Sequence, residues 1–586
     1  MITKKPLQQK YQHFTVLNQA LINFIVIIAR IKKDIRSTTI CLYLTWFTPR
    51  MVTISWINQI IRREGIVRPI GRPTKEYKEN EPGYLEQIKI IHQYNIDCIG
   101  IPLLQDVMYH FRIESFYIEI LTRIKSDINK RDCNWSINTM RRFIQTNTAI
   151  ALYPGVKNFE EALDSDISHT PMSPKTARDM VKKLEKSENL FEIISHEHKV
   201  FWTDFLKLDK KKQIIYFDGH VKPYFTKQTH VCGIISNSGR IMPGTKYVIA
   251  TNAQGYVIDM QNIMVNTPYG ECVLQMARKM KIDFNFQIDL IILDREGCGN
   301  ELNQTFKNEL ELCTLTPLRE NQYKGLEDFE YKKIGERLYQ GIWRSEEKRK
   351  EDERTFVMIE YDRRVCVFGI TKKKRSYTDT QQIYKSRWPN NEEIIKNLNM
   401  QTDFNVNISN GTNSVLNPKK QKQNEKNQQK IDNWTAKKNN YQQRQNKALS
   451  NSESKRYEKQ VKKAEEKITK YQALIIPENE IGKVKIRNTK PDYFISMLKT
   501  SIINILRFII ISCVSRTKKP PMEKMYHLII NRKGIIEEMP NTKWYIFDKP
   551  FSKDNQNLLA EFVKNFNKFK IKDRKAKVIQ LAINSP

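Results

Sequence analysis

The sequence predicts a multidomain α+β protein: a mixed α/β core preceded by helical regions and followed by a long polar helical segment and a C-terminal α/β region. Three observations predict it. Two short apolar runs, QIIYFDG at 213–219 and IDLIILDREGCG at 288–299, each carry an aspartate at the C-terminal end. Apolar runs of that length rich in β-branched and aromatic residues read as buried strands. Residues 1–200 instead place apolar residues three and four apart, the helical period. Residues 419–476 contain no Gly and no Pro and are crowded with Lys, Gln, Asn and Glu.

The chain has 586 residues, which suggests three to five domains. It carries 99 Lys+Arg against 65 Asp+Glu, a net charge of +34. That excess points to a polyanionic partner, foremost nucleic acid. A lysine-enriching codon bias alone does not explain why acidic residues fail to balance it. Nine cysteines are scattered with no CxxC pair, so neither a zinc ribbon nor a disulfide framework is signalled, which fits a reducing compartment. The expected location is the cytoplasm, in association with the nucleoid. No signal peptide is expected. Leu21–Ala29 is too short to span a bilayer, and Ser501–Val514 is interrupted by Arg507. Both are expected to be core helices, with no membrane partner.

In chain order, residues 1–75 are expected to form a helix-turn-helix-like DNA-binding region. Thr48-Pro49 supplies a cap followed by Pro at the first helical position. Val52, Trp56, Ile57, Ile60 and Ile61 then recur at helical spacing up to Gly65. A second helix in a major groove would present Arg50, Asn58, Arg62 and Arg63 to DNA; a helical hairpin with a solvated basic face is the alternative. Gly71-Arg72-Pro73 is a weak minor-groove signal. Residues 84–200 form a second helical region, carried by apolar positions from Leu103 to Ile124 and by a Ser173-Pro174 helix start.

Residues 210–400 change character. Strands are expected at 213–218, 229–236 and 246–252, a helix at 271–280, and a strand at 288–294. Three strands, a helix, then a strand is the opening order of a ribonuclease-H-like fold. In that order the first and fourth strands are neighbours, so Asp218 and Asp294 would converge at the strand ends, where open α/β sheets place their chemistry. Further strand-like runs within about 305–380 read as a β insertion. Glu392 and Glu393 sit near the start of the next helix. In 401–476, Tyr457, Val461, Ala464, Ile468 and Tyr471 mark a coiled-coil seam on a segment that either pairs copies of the chain or lies along DNA. Residues 486–586 form a C-terminal basic α/β region.

YFDGHVKPY at 216–224, LDREG at 293–297 and YKSRWPNNEEIIK at 384–396 together resemble the bacterial and archaeal DDE transposases that carry a Tyr–Arg–Glu–Lys signature. The resemblance covers roughly residues 90–570. It implies a ribonuclease-H-like catalytic core in which Asp218, Asp294 and Glu392 are the catalytic and metal-binding carboxylates for two Mg²⁺ or Mn²⁺ ions, with Glu393 the alternative to Glu392. It places the signature Tyr and Arg on Tyr384 and Arg387, as DNA-phosphate contacts. Where the signature Lys normally stands this chain has Asn399, and Lys396 is the nearest substitute. The implied activity is metal-dependent strand cleavage and strand transfer at the ends of the protein's own insertion element. The alternatives are a nuclease of the same fold that cuts without joining and a non-catalytic DNA-binding descendant. Double-stranded DNA, as terminal inverted repeats and target, is the expected partner, and synapsis of two ends implies a homodimer. Trp388 is expected to pack in the core, with stacking on a displaced base as the other reading. His220 is expected to be a loop histidine with a local hydrogen bond.

Overall fold

The computed structural model describes residues 92–584 apart from 129–132, 154–155, 157, 165–171, 224–231, 236–239, 265–266, 298, 362–363, 372–375, 406–410, 449 and 515–519, together with Ile25, Ile57, Ile60 and Ile61. The chain divides into two units, Met1–Lys89 and Ile90–Pro586. In the first, Ile57, Ile60 and Ile61 are helical and buried, as their spacing predicts. The helix-turn-helix as a whole, Arg50, Arg62, Arg63 and the Gly-Arg-Pro tripeptide lie outside the described residues.

The second unit opens on strand β1 (His92–Ile96) and six helices, the short Phe159–Asp164 and five longer ones: α1 (Gly100–His110), α2 (Ile113–Asp127), α3 (Ile137–Leu152), α4 (Pro174–Leu184) and α5 (Leu190–Leu206). Sequence sets the starts of α3 and α4. Ser136 and Ser173 accept the backbone N–H of Thr139 and Thr176, and Pro174 occupies the first turn, where no N–H is needed.

A ten-stranded sheet follows. Its strands are β2 (Gln213–Pro223), β3 (Cys232–Ile235), β4 (Arg240–Asn252), β5 (Val257–Met264), β6 (Ile288–Ile292), β7 (Thr314–Pro317), β8 (Phe329–Gly335), β9 (Leu338–Trp343), β10 (Thr355–Tyr361) and β11 (Arg364–Ile370). β4 lies antiparallel between β2 and β5, while β6 runs parallel to β2 and β7 parallel to β6. The central order is therefore β5-β4-β2-β6-β7. Helices α6 (Tyr269–Ile282) and α7 (Asn300–Leu310) make the crossovers that parallel neighbours require. Side chains alternate as the pleat dictates. Ile215 and Phe217 of β2 pack with α6 and α7, while Tyr216 packs on the opposite face with Leu290, Ile292 and Leu315.

One detail departs from the sequence reading. Val257–Met264 is the sheet's third meander strand, while 232–235 only extends the far end of β4. Asp259, Gln261 and Asn262 broke its apolar pattern; Asp259 is buried in an ion pair with Lys199 at 2.8 Å. The residues expected to form a β insertion are strands, and they join the main sheet. β8–β11 continue the same sheet beyond β7, through β11 pairing antiparallel with β7.

Beyond the sheet lie α8 (Tyr377–Lys385) and α9 (Glu393–Thr402), then a projecting arm. The arm is a ribbon of β12 (Thr412–Leu416) and β13 (Lys483–Arg487) carrying two helices, α10 (Pro418–Asn446) and α11 (Asn451–Gln472). α12 (Lys490–Cys513) is the central helix of the core. By length and composition it is apolar enough to cross a membrane, yet 89% of its most apolar window is buried by the rest of the protein. Its polar groups are matched one by one. Asp492 accepts from Tyr247 and pairs with Lys222 of β2 at 3.2 Å. Asn504 accepts the Val257 N–H at 2.8 Å and donates to its carbonyl at 2.7 Å. Leaving such a buried group unmatched costs about 1–3 kcal/mol, so these pairs fix how the helix sits on the sheet. The chain closes with α13 (Met522–Ile529), β14 (Gly534–Glu538), β15 (Thr542–Phe547), α14 (Lys553–Phe566) and β16 (Val578–Ile583). β1 pairs with β14, so both ends of this unit share one four-stranded sheet. The architecture is a mixed α/β one, with helices around several sheets.

Candidate active site

Asp218 lies within β2, not at its end: the strand continues to Pro223 because β4 is long enough to pair with it that far. On the other edge, pairing with β6 stops at Tyr216. Asp218 therefore stands two residues past the end of the parallel pair. Asp294 stands two residues past the end of β6, beside it. A Cβ at Gly219 would meet Cε of Lys246 at 2.6 Å, so the lysine chain lies directly against this glycine. The Gly219 N–H donates to the Asp218 carboxylate at 2.7 Å. The loop after Asp294 is tied down by Arg319, which donates to the carbonyls of Arg295 and Glu296 at 2.8 and 2.9 Å.

Glu392 arrives on a wide π-type turn, Trp388–Glu392, inserted at the head of α9. The turn is pinned to the sheet at two points. Tyr216 and Ser386 share a hydrogen bond of 2.7 Å, and buried Asn391 donates to Thr251 of β4 at 2.9 Å.

The three carboxylates gather around one side chain. The Arg387 guanidinium lies 3.9 Å from Asp218, 3.6 Å from Asp294 and 3.2 Å from Glu392. It is only 11% exposed, against 20, 39 and 31% for the three acids in that order. Burial works against the guanidinium's charge, but the three carboxylates more than offset it and raise its pKa. Burial pushes the Asp218 carboxyl up to about 6, with Arg387 opposing and Asp294 adding to the rise. Tyr384 hydrogen-bonds Arg387 and packs its ring 4.2 Å from that of Phe368.

Of the other sequence candidates, Glu393 lies apart from this cluster, in a concavity it lines with Pro389 and Arg507. Lys396 is exposed on α9. The Asn399 side-chain oxygen is buried with no hydrogen-bond partner among the described residues. His220 is buried and bonded to Asn405 at 2.7 Å. It is therefore not a loop residue with a local bond: it lies within β2, its partner is 185 residues away, and burial lowers its pKa. Trp388 is not in the core; it is 63% exposed, because the π turn leaves it outside the packed face of α9. Sequence reasoning overlooked Lys246, which is buried against Gly219, pairs with Glu296 and lies 5.2 Å from the Tyr269 ring centre. The glycine after Asp218 and the Glu within LDREG were the available signals.

The donor set is hard carboxylate oxygen, the kind that suits Mg²⁺ or Mn²⁺. Among the described residues no group of three His, Cys, Asp or Glu side chains is arranged to hold an ion as it stands. The guanidinium takes the place between the acids. The donors thus fit divalent ions in kind and number, provided Arg387 withdraws.

The fold and site define a mixed α/β protein with an acidic triad on the rim of its main sheet. No protein-family model matches the chain, and no curated protein matches it. Among solved structures the chain is similar to piggyBac transposase in a cryo-EM synaptic complex with hairpin DNA. The TM-score is 0.30 at 11% identity, over 79% of this chain and 90% of that one.

Proposed function

We propose that this protein is a DNA transposase of the DDE kind, built on a ribonuclease-H-like core, that cleaves and joins DNA strands at the ends of its own element. The observation that carries the reading is the meeting of Asp218, Asp294 and Glu392, from three separate elements, around Arg387. The strand order β5-β4-β2-β6-β7 supports the core assignment, since it numbers third, second, first, fourth, fifth along the chain. The net charge of +34 supports DNA as substrate.

In this reading Asp218, Asp294 and Glu392 hold two Mg²⁺ or Mn²⁺ ions. The ion pair, when bound, supplies nucleophile activation and charge stabilisation at the leaving 3′ oxygen. Water first attacks phosphorus in line, the P–O3′ bond breaks and a 3′-OH is freed; that hydroxyl then attacks a phosphorus of a second strand, whose own 3′ oxygen leaves. Arg387 leaves the carboxylates and takes a DNA phosphate, with Tyr384 steering it through their hydrogen bond. Trp388, exposed beside the site, stacks on an unpaired base. Lys396, on the outer side of α9, and Arg50, Arg62 and Arg63 of the N-terminal unit add phosphate contacts. The reading includes a homodimer that synapses two ends and a cytoplasmic, nucleoid-associated location.

The test is cleavage of DNA carrying the sequences that flank the gene. Asp218→Asn, Asp294→Asn and Glu392→Gln are each expected to abolish Mg²⁺-dependent nicking while duplex binding persists. A near-normal cutting rate in any of the three would sink the triad assignment. Cutting without joining of the freed 3′ end would make the protein a nuclease.

A further inference from the structure

The arm pairs α10 and α11 antiparallel over 29 and 22 residues. Its seam is thin and partly polar. Ile431, Val461, Ala464 and Asn427 are buried there, and Lys438 pairs with Glu465 at 2.8 Å. Against that seam the charges are not evenly spread. On α10, Lys422, Lys426, Lys430, Lys437 and Arg444 follow one another at steps of four or seven. On α11, Arg456, Lys459, Lys463, Lys467 and Lys470 do so at steps of three or four. Steps of that kind keep side chains on one stripe of a helix.

At about 100° per residue, each stripe lies about 120° from its own seam, in the same rotational sense. In an antiparallel pair that equal offset brings both stripes to the same broad face. Trp434, Tyr441 and Tyr471, half-buried, lie between stripes and seam on that face. Lys430 and Lys437 sit 4.9 and 4.6 Å from the ring centres of Tyr471 and Trp434. The other broad face carries Glu425, Asp432, Glu458 and Glu465. Lys455 and Lys462 of α11 lie on that face too, seven residues apart, and Lys462 is paired with Glu458 at 3.2 Å.

A polar helical pair built only to support itself has no reason to segregate its charges. Segregation raises repulsion within one face, and a polyanion lying along that face relieves it. The α11 stripe offers a cation about every 5–6 Å throughout, and the α10 stripe about every 6 Å from Lys422 to Lys430 and about every 10–11 Å from there to Arg444, a row of charge suited to the regular phosphates of a duplex. We infer that the arm is a second, sequence-independent DNA-binding element, which lays the face formed by these two stripes along the phosphate backbone. This rests on the reading above only in taking duplex DNA as the polyanion.

The test uses the full-length protein in chelator, where no strand is cut, and a fluorescent duplex of unrelated sequence. One variant carries Lys426→Gln, Lys430→Gln, Lys459→Gln and Lys463→Gln. A second carries Gln421→Glu, Gln428→Glu, Asn439→Glu and Thr469→Glu, an equal change of net charge on the opposite face. Circular dichroism checks that both keep their helices. The first variant is expected to bind more weakly, with the slope of log K against log salt reduced by about 3–4; the second should keep its slope within about 1. Equal losses in both would mean that only net charge matters, and no loss in the first would mean that the arm does not touch the duplex. Either result overturns the inference. An acidic protein as the arm's true partner would give the second of these. Neither result bears on the triad, which is tested by cleavage.

Discussion

Replacing Arg387 with glutamine removes the guanidinium that three carboxylates share. At an effective dielectric of about 20, each of the contacts at 3.2–3.9 Å is worth roughly 4–5 kcal/mol of gross Coulomb attraction. Desolvation of the four groups and repulsion among the three acids cancel most of this. Breaking a fully buried pair costs about 3–5 kcal/mol. Here the acids are 20–39% exposed, and solvent screening brings the expectation to about 2–3 kcal/mol. The effect should be local, so the assay is hydrogen exchange in chelator on peptides covering 213–223 and 384–402. Exchange of the slow amides should speed by about 30–100-fold, since each tenfold is about 1.4 kcal/mol. Added Mn²⁺ should slow exchange more in the variant than in the parent protein, because the acids no longer have to release an arginine. Combining Arg387→Gln with Asp218→Asn should recover part of the loss, a coupling of about 1–2 kcal/mol. Unchanged exchange in the single variant, or a loss that is the same with and without Asp218, would refute the picture of a shared counter-charge.

Other consequences are simpler to check. Trp388→Ala should leave the midpoint of thermal unfolding within about 1–2 °C, since the side chain is exposed, yet lower the rate of strand processing. Asn391→Ala should do the reverse in part: it leaves Thr251 without its 2.9 Å partner, lowers stability by about 1–3 kcal/mol, and weakens Mn²⁺ binding by freeing the Glu392 turn. Glu538 is held down to about pKa 2, against the effect of burial, by Lys575 and Lys577. A depressed carboxylate stabilises the fold above its unfolded pKa near 4.5 and loses that effect as pH falls toward 2. Glu538→Gln should therefore lower the unfolding midpoint at pH 7, and the gap to the parent protein should close between about pH 4.5 and 2.

How much of this was readable in the sequence depends on how local the deciding interaction is. β2 and β6 were legible because their short apolar runs are unbroken, and the central helix because Ser501–Val514 is apolar but for a few residues. The seam residues Tyr457, Val461, Ala464, Ile468 and Tyr471 were legible from their spacing of four and three, and none of them is exposed. β5 was not, because its polar residues are satisfied from elsewhere in the chain: Asp259 by Lys199 and the Val257 backbone by Asn504. A pattern read along one strand cannot register partners 60 and 247 residues away. The segregation of charge on the arm was present in the sequence throughout. It became visible only when the structure fixed which side of each helix is the seam and that the two run antiparallel.

The choice between Glu392 and Glu393 depends on a single backbone feature. In a regular α-helix, residues five apart are offset by about 140°, so Arg387 would face Asn391 more nearly than Glu392. Pro389 has no N–H to give, and downstream the Glu393 N–H reaches back five residues to the Trp388 carbonyl. One extra residue is thereby taken into the turn. That insertion turns Glu392 to within 3.2 Å of Arg387 and sends Glu393 to the side of Arg507. Counting residues from the Arg-Trp pair favours Glu392, but a helical wheel drawn through the same residues argues against it. The two disagree because a wheel assumes the one hydrogen-bond register that Trp-Pro interrupts. A π turn at this point also explains why Trp388 is left outside the packed face while its neighbour Arg387 is buried among the acids.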